Sequence, residues 1–223
     1  MNVTLKVLVV QEEYRKNKHM KFVDITIRPL DLKLPTEREL LIHIGIIAGI
    51  CYASSMDEEK CIKRAISCIR RGHHSPWEHI TFTLSNIIDR GTSHALIRHR
   101  HCAFQQSSTI YQKYNELLII GQSNITEAEK SLYKDIEAVY LLEVSKQQMP
   151  PHRVRDILPN ALATNLIITT NMRQWQYMFR RRCGYGDSEN MHKWATTVQE
   201  WFRKNYPIIT EAFDQFYEKH PID

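Results

Sequence analysis

The chain has 223 residues, 43% of them apolar and 25% charged, with a formal net charge of +5, the balance of a globular protein with one sizeable core. Its longest apolar run, Leu40–Cys51, is interrupted by His43, Gly45 and Gly49 and is too short to cross a bilayer. The apolar N-terminal stretch meets Gln11, Glu12 and Glu13 where a signal peptide would need small residues, so the expected location is cytoplasmic, with no membrane partner.

Thr4–Val10 and Phe22–Ile27 are β-rich and flank the charged segment Glu12–Lys18, which predicts a hairpin. Pro35-Thr36-Glu37 opens a helical pattern with Leu40, Leu41, Ile44, Ile47 and Ala48 on one face. Ser55 followed by Glu58 has the form of a capping box, starting a second helix that stops at Gly72. Ile80–Ile87 alternates as a strand, Ser93–His99 reads as a short helix, and Thr109–Tyr114 as a strand or extended segment. Glu127–Gln148 is a long amphipathic helix that Pro150-Pro151 ends. The β-rich run Leu166–Thr170 leads to Asn171, a suitable N-cap, and two helices follow, Asn171–Cys183 and Glu189–Lys204, parted by Gly184-Tyr185-Gly186. The pattern is that of one helix-rich α+β domain over residues 1–223.

Five cysteines with no CxxC pair argue against a disulfide framework and a structural zinc site. Gly72-His73-His74-Ser75-Pro76-Trp77-Glu78-His79 gathers three histidines and a glutamate, but it lacks HExxH spacing and carries a proline, so no metal is expected there. By itself it is a polar loop. Arginines cluster at Arg70-Arg71, Arg98–Arg100 and Arg180–Arg182, and guanidinium suits planar anions bidentately. Arg98-His99-Arg100-His101 is tolerated if anions sit between the charges or water solvates them, and the donor-rich run Gln105–Thr109 beside it suits a nucleotide phosphate or a flavin diphosphate. Trp175 and Met178 on the Asn171 helix either line a ring pocket or belong to the core. These residues alone also allow a basic nucleic-acid-binding protein.

Taken in order, the clusters resemble the flavin-dependent thymidylate synthase family. Its hallmark is written RHRxxSxNxxSxR, with a GHxSPxEH loop some twenty residues upstream. Residues 72–79 match that loop in full, and Arg98-His99-Arg100 opens the hallmark. Downstream, Arg155-Asp156-Ile157-Leu158-Pro159, Thr169–Trp175 and Arg182 follow the family's R-x-x-LP, TxNxRxW and later arginine. The resemblance covers roughly residues 65–185. It implies a single α+β domain, a mainly antiparallel sheet packed with several long helices, assembled as a homotetramer that binds FAD at subunit interfaces. It further implies methylation of dUMP at C5, with 5,10-methylenetetrahydrofolate and NADPH as co-substrates, no cysteine nucleophile and no nucleic-acid partner. By position, Ser75, Arg98, His99, Arg100, Gln106, Asn171, Arg173 and Tyr177 would contact the flavin. Ser107, Ser108, Thr109 and Arg155, with Arg98 and Gln106, would hold the nucleotide, and Arg182 would meet the pyrimidine as the catalytic group.

The chain departs from the hallmark at Ala103, Gln105 and Ser107, at Ala95 upstream, and at Ile110, where the family's pattern closes with arginine. A charge-assisted hydrogen bond contributes about 1.5–3 kcal/mol. Its loss at position 110 corresponds to roughly ten- to hundredfold weaker nucleotide binding. Lys113 and Arg153 are the neighbouring cations. The same chemistry on another uracil-containing substrate, such as UMP, is the alternative these changes raise.

Overall fold

The computed structural model describes residues 20–146, 150–184 and 186–222. The predicted strand Thr4–Val10 and the charged segment Glu12–Lys18 lie outside the described residues. The α+β class is as expected. By its contacts the chain divides into two compact units: one takes the described residues up to Leu30, with Ser85–Arg98 and Phe104–Ile167; the other takes Asp31–Leu84, His99–Ala103 and the chain from Ile168 on.

In the first unit, β1 (Lys21–Phe22) pairs in parallel with β5 (Leu118–Ile119), Lys21 opposite Leu118 and Phe22 opposite Ile119. The predicted strand Phe22–Ile27 is therefore broken, because β2 (Thr26–Pro29) joins a different, four-stranded sheet. That sheet has the order β2-β3-β6-β4, with β3 Thr81–Asp89, β4 Ala103–Gln106 and β6 Ala163–Asn171. Thr83 Oγ1 lies 3.0 Å from Thr169 Oγ1, and Asn86 Nδ2 donates to the Leu166 carbonyl at 2.9 Å, so β3 and β6 run in opposite directions. The core of this unit gathers Leu117, Ile119, Tyr140, Val154 and Leu162. Glu137 is buried beneath it, its carboxylate accepting the backbone N–H groups of Met20 and Leu117 at 2.9 and 2.8 Å. Such pairing offsets the cost of taking the charge out of water.

The second unit opens with α1 (Glu37–Ile50), which starts where the sequence predicts and is capped by Thr36 and Glu39 in a reciprocal capping box that the sequence reading did not single out. The next helix, α2 (Glu58–Arg70), is capped by Asp57, whose side chain accepts from Lys60 N, and not by Ser55. Ser55 instead accepts from the Asp57 N–H at 3.3 Å, and aspartate one residue before the helix is the nearer acceptor. Gly72, at φ 74°, ends the turn after α2 in a conformation that favours glycine. Within the first unit, the helix predicted at Ser93–His99 starts three residues earlier, as α3 (Arg90–Leu96), because Asp89 caps it through Thr92. Of Thr109–Tyr114, read as a strand or extended segment, residues 109–111 form a turn and 112–114 lie in no strand; the pairing residues are the preceding ones, in β4.

The long helix α4 (Glu127–Lys146) matches expectation, while Pro151 begins the short α5 (Pro151–Val154) at its N-terminal position, where proline is well tolerated. The last helices are α6 (Met172–Arg182), α7 (Glu189–Asn205) and α8 (Pro207–Lys219); the first two follow the sequence expectation and the third has no counterpart in it. Trp77, Trp175, Trp194, Phe82, Phe179, Phe202 and Phe213 are buried in the second unit.

Helices α1 and α2 approach so closely at Gly45 that a Cβ there would stand 2.1 Å from the Cys61 carbonyl oxygen. Gly45→Ala must push two backbones apart. Its expected cost is about 1–3 kcal/mol, the range for overpacking a filled core, seen as a lower urea midpoint with an unchanged slope.

Candidate functional site

In the second unit the candidate residues collect along α6. Strand β6 alternates buried and half-buried residues up to Asn171, whose side chain accepts from Gln174 N at 2.8 Å and so turns the chain from strand to helix. The Met172 N–H donates to the Ile80 carbonyl at 2.8 Å, which fixes where the helix starts. Trp175, Met178 and Phe179 are then fully buried, which settles the first two as core, while Arg173 and Tyr177 stand exposed on the other side.

The three arginines ending α6 have separate tasks. Arg180 pairs with Asp214 and with the Gln176 side chain and lies over the rings of Phe179 and Tyr217, at 4.8 and 4.9 Å. It is committed to the interior. Arg181 is half-buried. Arg182 donates from Nε to His99 Nε2 at 3.1 Å and from Nη1 to Asp187 Oδ1 at 3.2 Å. Arginine Nε always carries hydrogen, so His99 Nε2 must present a lone pair and its proton sits on Nδ1. Burial, then the charges of Arg182 and Arg181, push the His99 pKa down to about 4, which keeps the ring neutral; Asp187 acts weakly the other way. The Tyr177 ring meets His99 edge-on at 6.1 Å between centroids.

The loop at residues 72–79 joins this region through Arg173, which pairs with Glu78. Ser75 is exposed at the start of a short 3-10 turn, Ser75–His79, anchored by fully buried Trp77. His74 is a core residue: Nε2 donates to the Ile69 carbonyl at 3.1 Å, the ring packs on Phe213 and Phe216, and burial lowers its pKa. That geometry suits a buried neutral imidazole, not a metal ligand. Arg100 is exposed. Cys102 and Cys183 are half-buried, and burial pushes both thiols up, away from the thiolate form a nucleophile requires.

In the first unit, Arg98 is exposed after α3. Gln106 at the end of β4 donates from Nε2 to Ser93 Oγ at 2.9 Å and to Thr164 Oγ1 at 3.3 Å. Ser107 bonds through its backbone N–H to the Asn165 carbonyl. Ser108 Oγ accepts from the N–H groups of Ile110 and Tyr111 at 3.1 and 3.4 Å, and Thr109 is buried. Arg155 is exposed in the 3-10 turn Arg155–Ile157, with Asp156 at 3.9 Å. Sequence reasoning missed Asp187, Ser93 and Thr164. The signal for Asp187 was its place directly after Gly186, whose φ of 103° allows the loop to turn beside the arginine-bearing helix end.

The His99 geometry predicts a pH effect. Between about pH 4 and 6.5 the unfolded chain holds a proton on this ring that the folded chain does not. The contribution to stability is therefore complete above about pH 6.5 and is lost as pH falls toward about 4. Urea unfolding across this window is expected to show a steeper loss for the wild type than for His99→Gln; equal slopes would contradict the buried neutral ring.

A family model described as thymidylate synthase complementing protein matches residues 41–208. The flavin-dependent thymidylate synthase of Clostridium tetani is 28% identical over 170 residues, 63% of this chain and 68% of that one. The enzyme of the same name from Synechocystis sp. is 24% identical over 217 residues, 87% of this chain and 99% of that one. Among solved structures, the UMP/dUMP methylase PolB from Streptomyces cacaoi, bound with 5-Br dUMP, shares the fold at a TM-score of 0.72 and 16% identity, covering 88% of this chain and 98% of that one. With the family match running through most of its length, the chain belongs to the thymidylate synthase complementing protein family.

Proposed function

We propose that this protein methylates the C5 position of dUMP, taking the methylene from 5,10-methylenetetrahydrofolate and reducing equivalents from NADPH through FAD, as a cytoplasmic homotetramer. The observation that carries the reading, beside family membership, is the two-sided hold on Arg182 by neutral His99 and by Asp187. A guanidinium fixed in plane can stabilise negative charge developing on a uracil ring without giving up its proton.

The side chains suit a flavin. The second unit offers an exposed tyrosine, Tyr177, edge-on to His99, with the exposed cation Arg100, the half-exposed Arg173 and the Ser75 hydroxyl. Together they supply an aromatic face and donors for a diphosphate. Asn171 would contribute its amide NH2, since its oxygen caps α6. Arg98 and Gln106, in the first unit, are the other flavin residues that the resemblance implies. Bound flavin supplies the hydride chemistry. Ser107, Ser108, Thr109 and Arg155 would hold the nucleotide's sugar and phosphate. No thiol nucleophile is invoked, in keeping with the raised pKa of Cys102 and Cys183.

Ile110 favours a second reading, the same reaction on another uracil nucleotide such as UMP, because an apolar side chain stands where the family's pattern has arginine. Purified protein is expected to show a flavin absorbance and to release tritium from 5-tritiated dUMP when given methylenetetrahydrofolate and NADPH. Release from UMP alone would select the second reading; a flavin spectrum with release from neither would overturn both. Arg182→Lys keeps the charge but loses the Nε donor to His99, and should lower the rate of tritium release roughly 100-fold or more with nucleotide affinity little changed.

A further inference from the structure

Lys113 is the single lysine or arginine between Arg100 and Lys130. It follows a tight turn in which the Gln112 N–H donates to the Ser108 carbonyl at 3.2 Å while the Ser108 hydroxyl oxygen accepts from Ile110 N and Tyr111 N. That turn brings the chain round so that Ile110 and Lys113 line the same cleft, of about 210 Å³. Its lining combines apolar Ile110, Val144 and Val154 and the aromatic Tyr140 with polar Thr109, Gln112 and Lys113. The Tyr140 hydroxyl accepts from Tyr114 N at 3.3 Å, which ties α4 to the end of the turn and holds the cleft's shape.

We infer that Lys113 supplies the cation for the nucleotide's 5′-phosphate, in place of the arginine absent at position 110, and that this makes it a specificity-determining residue. The inference rests on the reading above, in which Ser108 and Thr109 hold the phosphate end. With its oxygen already accepting two backbone N–H groups, the Ser108 hydroxyl can turn its own hydrogen to a phosphate oxygen. An ammonium on a flexible stem at the rim of the same cleft reaches a dianion as a point charge, without needing the planar fork of arginine. The apolar residues in the same lining lower the local dielectric and strengthen that attraction relative to an open surface. Arg153 precedes Val154 but does not line the cleft, so it is the less suitable cation.

The test compares dUMP, UMP and deoxyuridine binding to the flavin-loaded protein by calorimetry, for the wild type, Lys113→Gln, Lys113→Arg and Ile110→Arg with Lys113→Gln. Lys113→Gln is expected to weaken binding of the nucleotide that the wild type prefers by roughly tenfold, and to leave the phosphate-free nucleoside unchanged. It should also flatten the dependence of nucleotide affinity on salt. Lys113→Arg should retain affinity, and the double variant should recover most of it. Since Lys113 is exposed, an unchanged melting temperature serves as the folding control. Unchanged nucleotide affinity in Lys113→Gln, or an equal loss for the nucleoside, would overturn the inference while leaving the proposed reaction standing. A wild type that binds neither dUMP nor UMP would overturn both.

Discussion

Helix α6 depends on one ion pair, Arg180 with Asp214. Their side chains are 10% and 24% exposed, so neither charge has enough water to be stable alone. The arrangement works because the pair is not isolated: Asp214 also accepts from Arg203 at 3.0 Å, and the Arg180 guanidinium lies over the rings of Phe179 and Tyr217. Helices α6, α7 and α8 are thereby pinned at one point. With the helix fixed in rotation, Arg173 and Tyr177 face outward, Trp175 and Phe179 face inward, and Arg182 emerges beside His99.

The electrostatics at Arg182 follow from the same economy. Burial first, and then the nearby charges of Arg182 and Arg181, disfavour a proton on the His99 ring, and the ring gives way because its ordinary pKa is much lower than that of arginine. His99 is held neutral and becomes an acceptor, leaving Asp187 as the anionic partner. One neutral and one charged acceptor fix the direction of a cation without smothering its charge.

Much of this was legible in the sequence, for physical reasons that differ from place to place. The helix start at Pro35–Glu37, and Asn171 as the cap before Met172, were readable because the start of a helix is a local event. The burial of Trp175 and Met178 was readable only as a choice, since a helix face shows periodicity but not what lies opposite. Asp57 displaced Ser55 as the cap of α2 because two polar residues close in sequence can compete for one task, and Asp89 moved the start of α3 by three residues because its carboxylate takes the Thr92 N–H. The split of Arg180 from Arg182 was not readable at all: it is set by Asp214, thirty-four residues away. Likewise the breaking of Phe22–Ile27 depends on β5, far along the chain. Local chemistry announces itself in sequence, and long-range partners do not.

The His99–Arg182 bond has an evolutionary side. A lysine at 182 would bring charge but no Nε–H, and a histidine protonated at 99 would bring a donor where an acceptor is required. Neither position can drift while the other stays as it is. Across relatives the two should behave as one inherited character, exchanged together or kept together, whereas Arg181, half-buried and outside that bond, is open to change of its own.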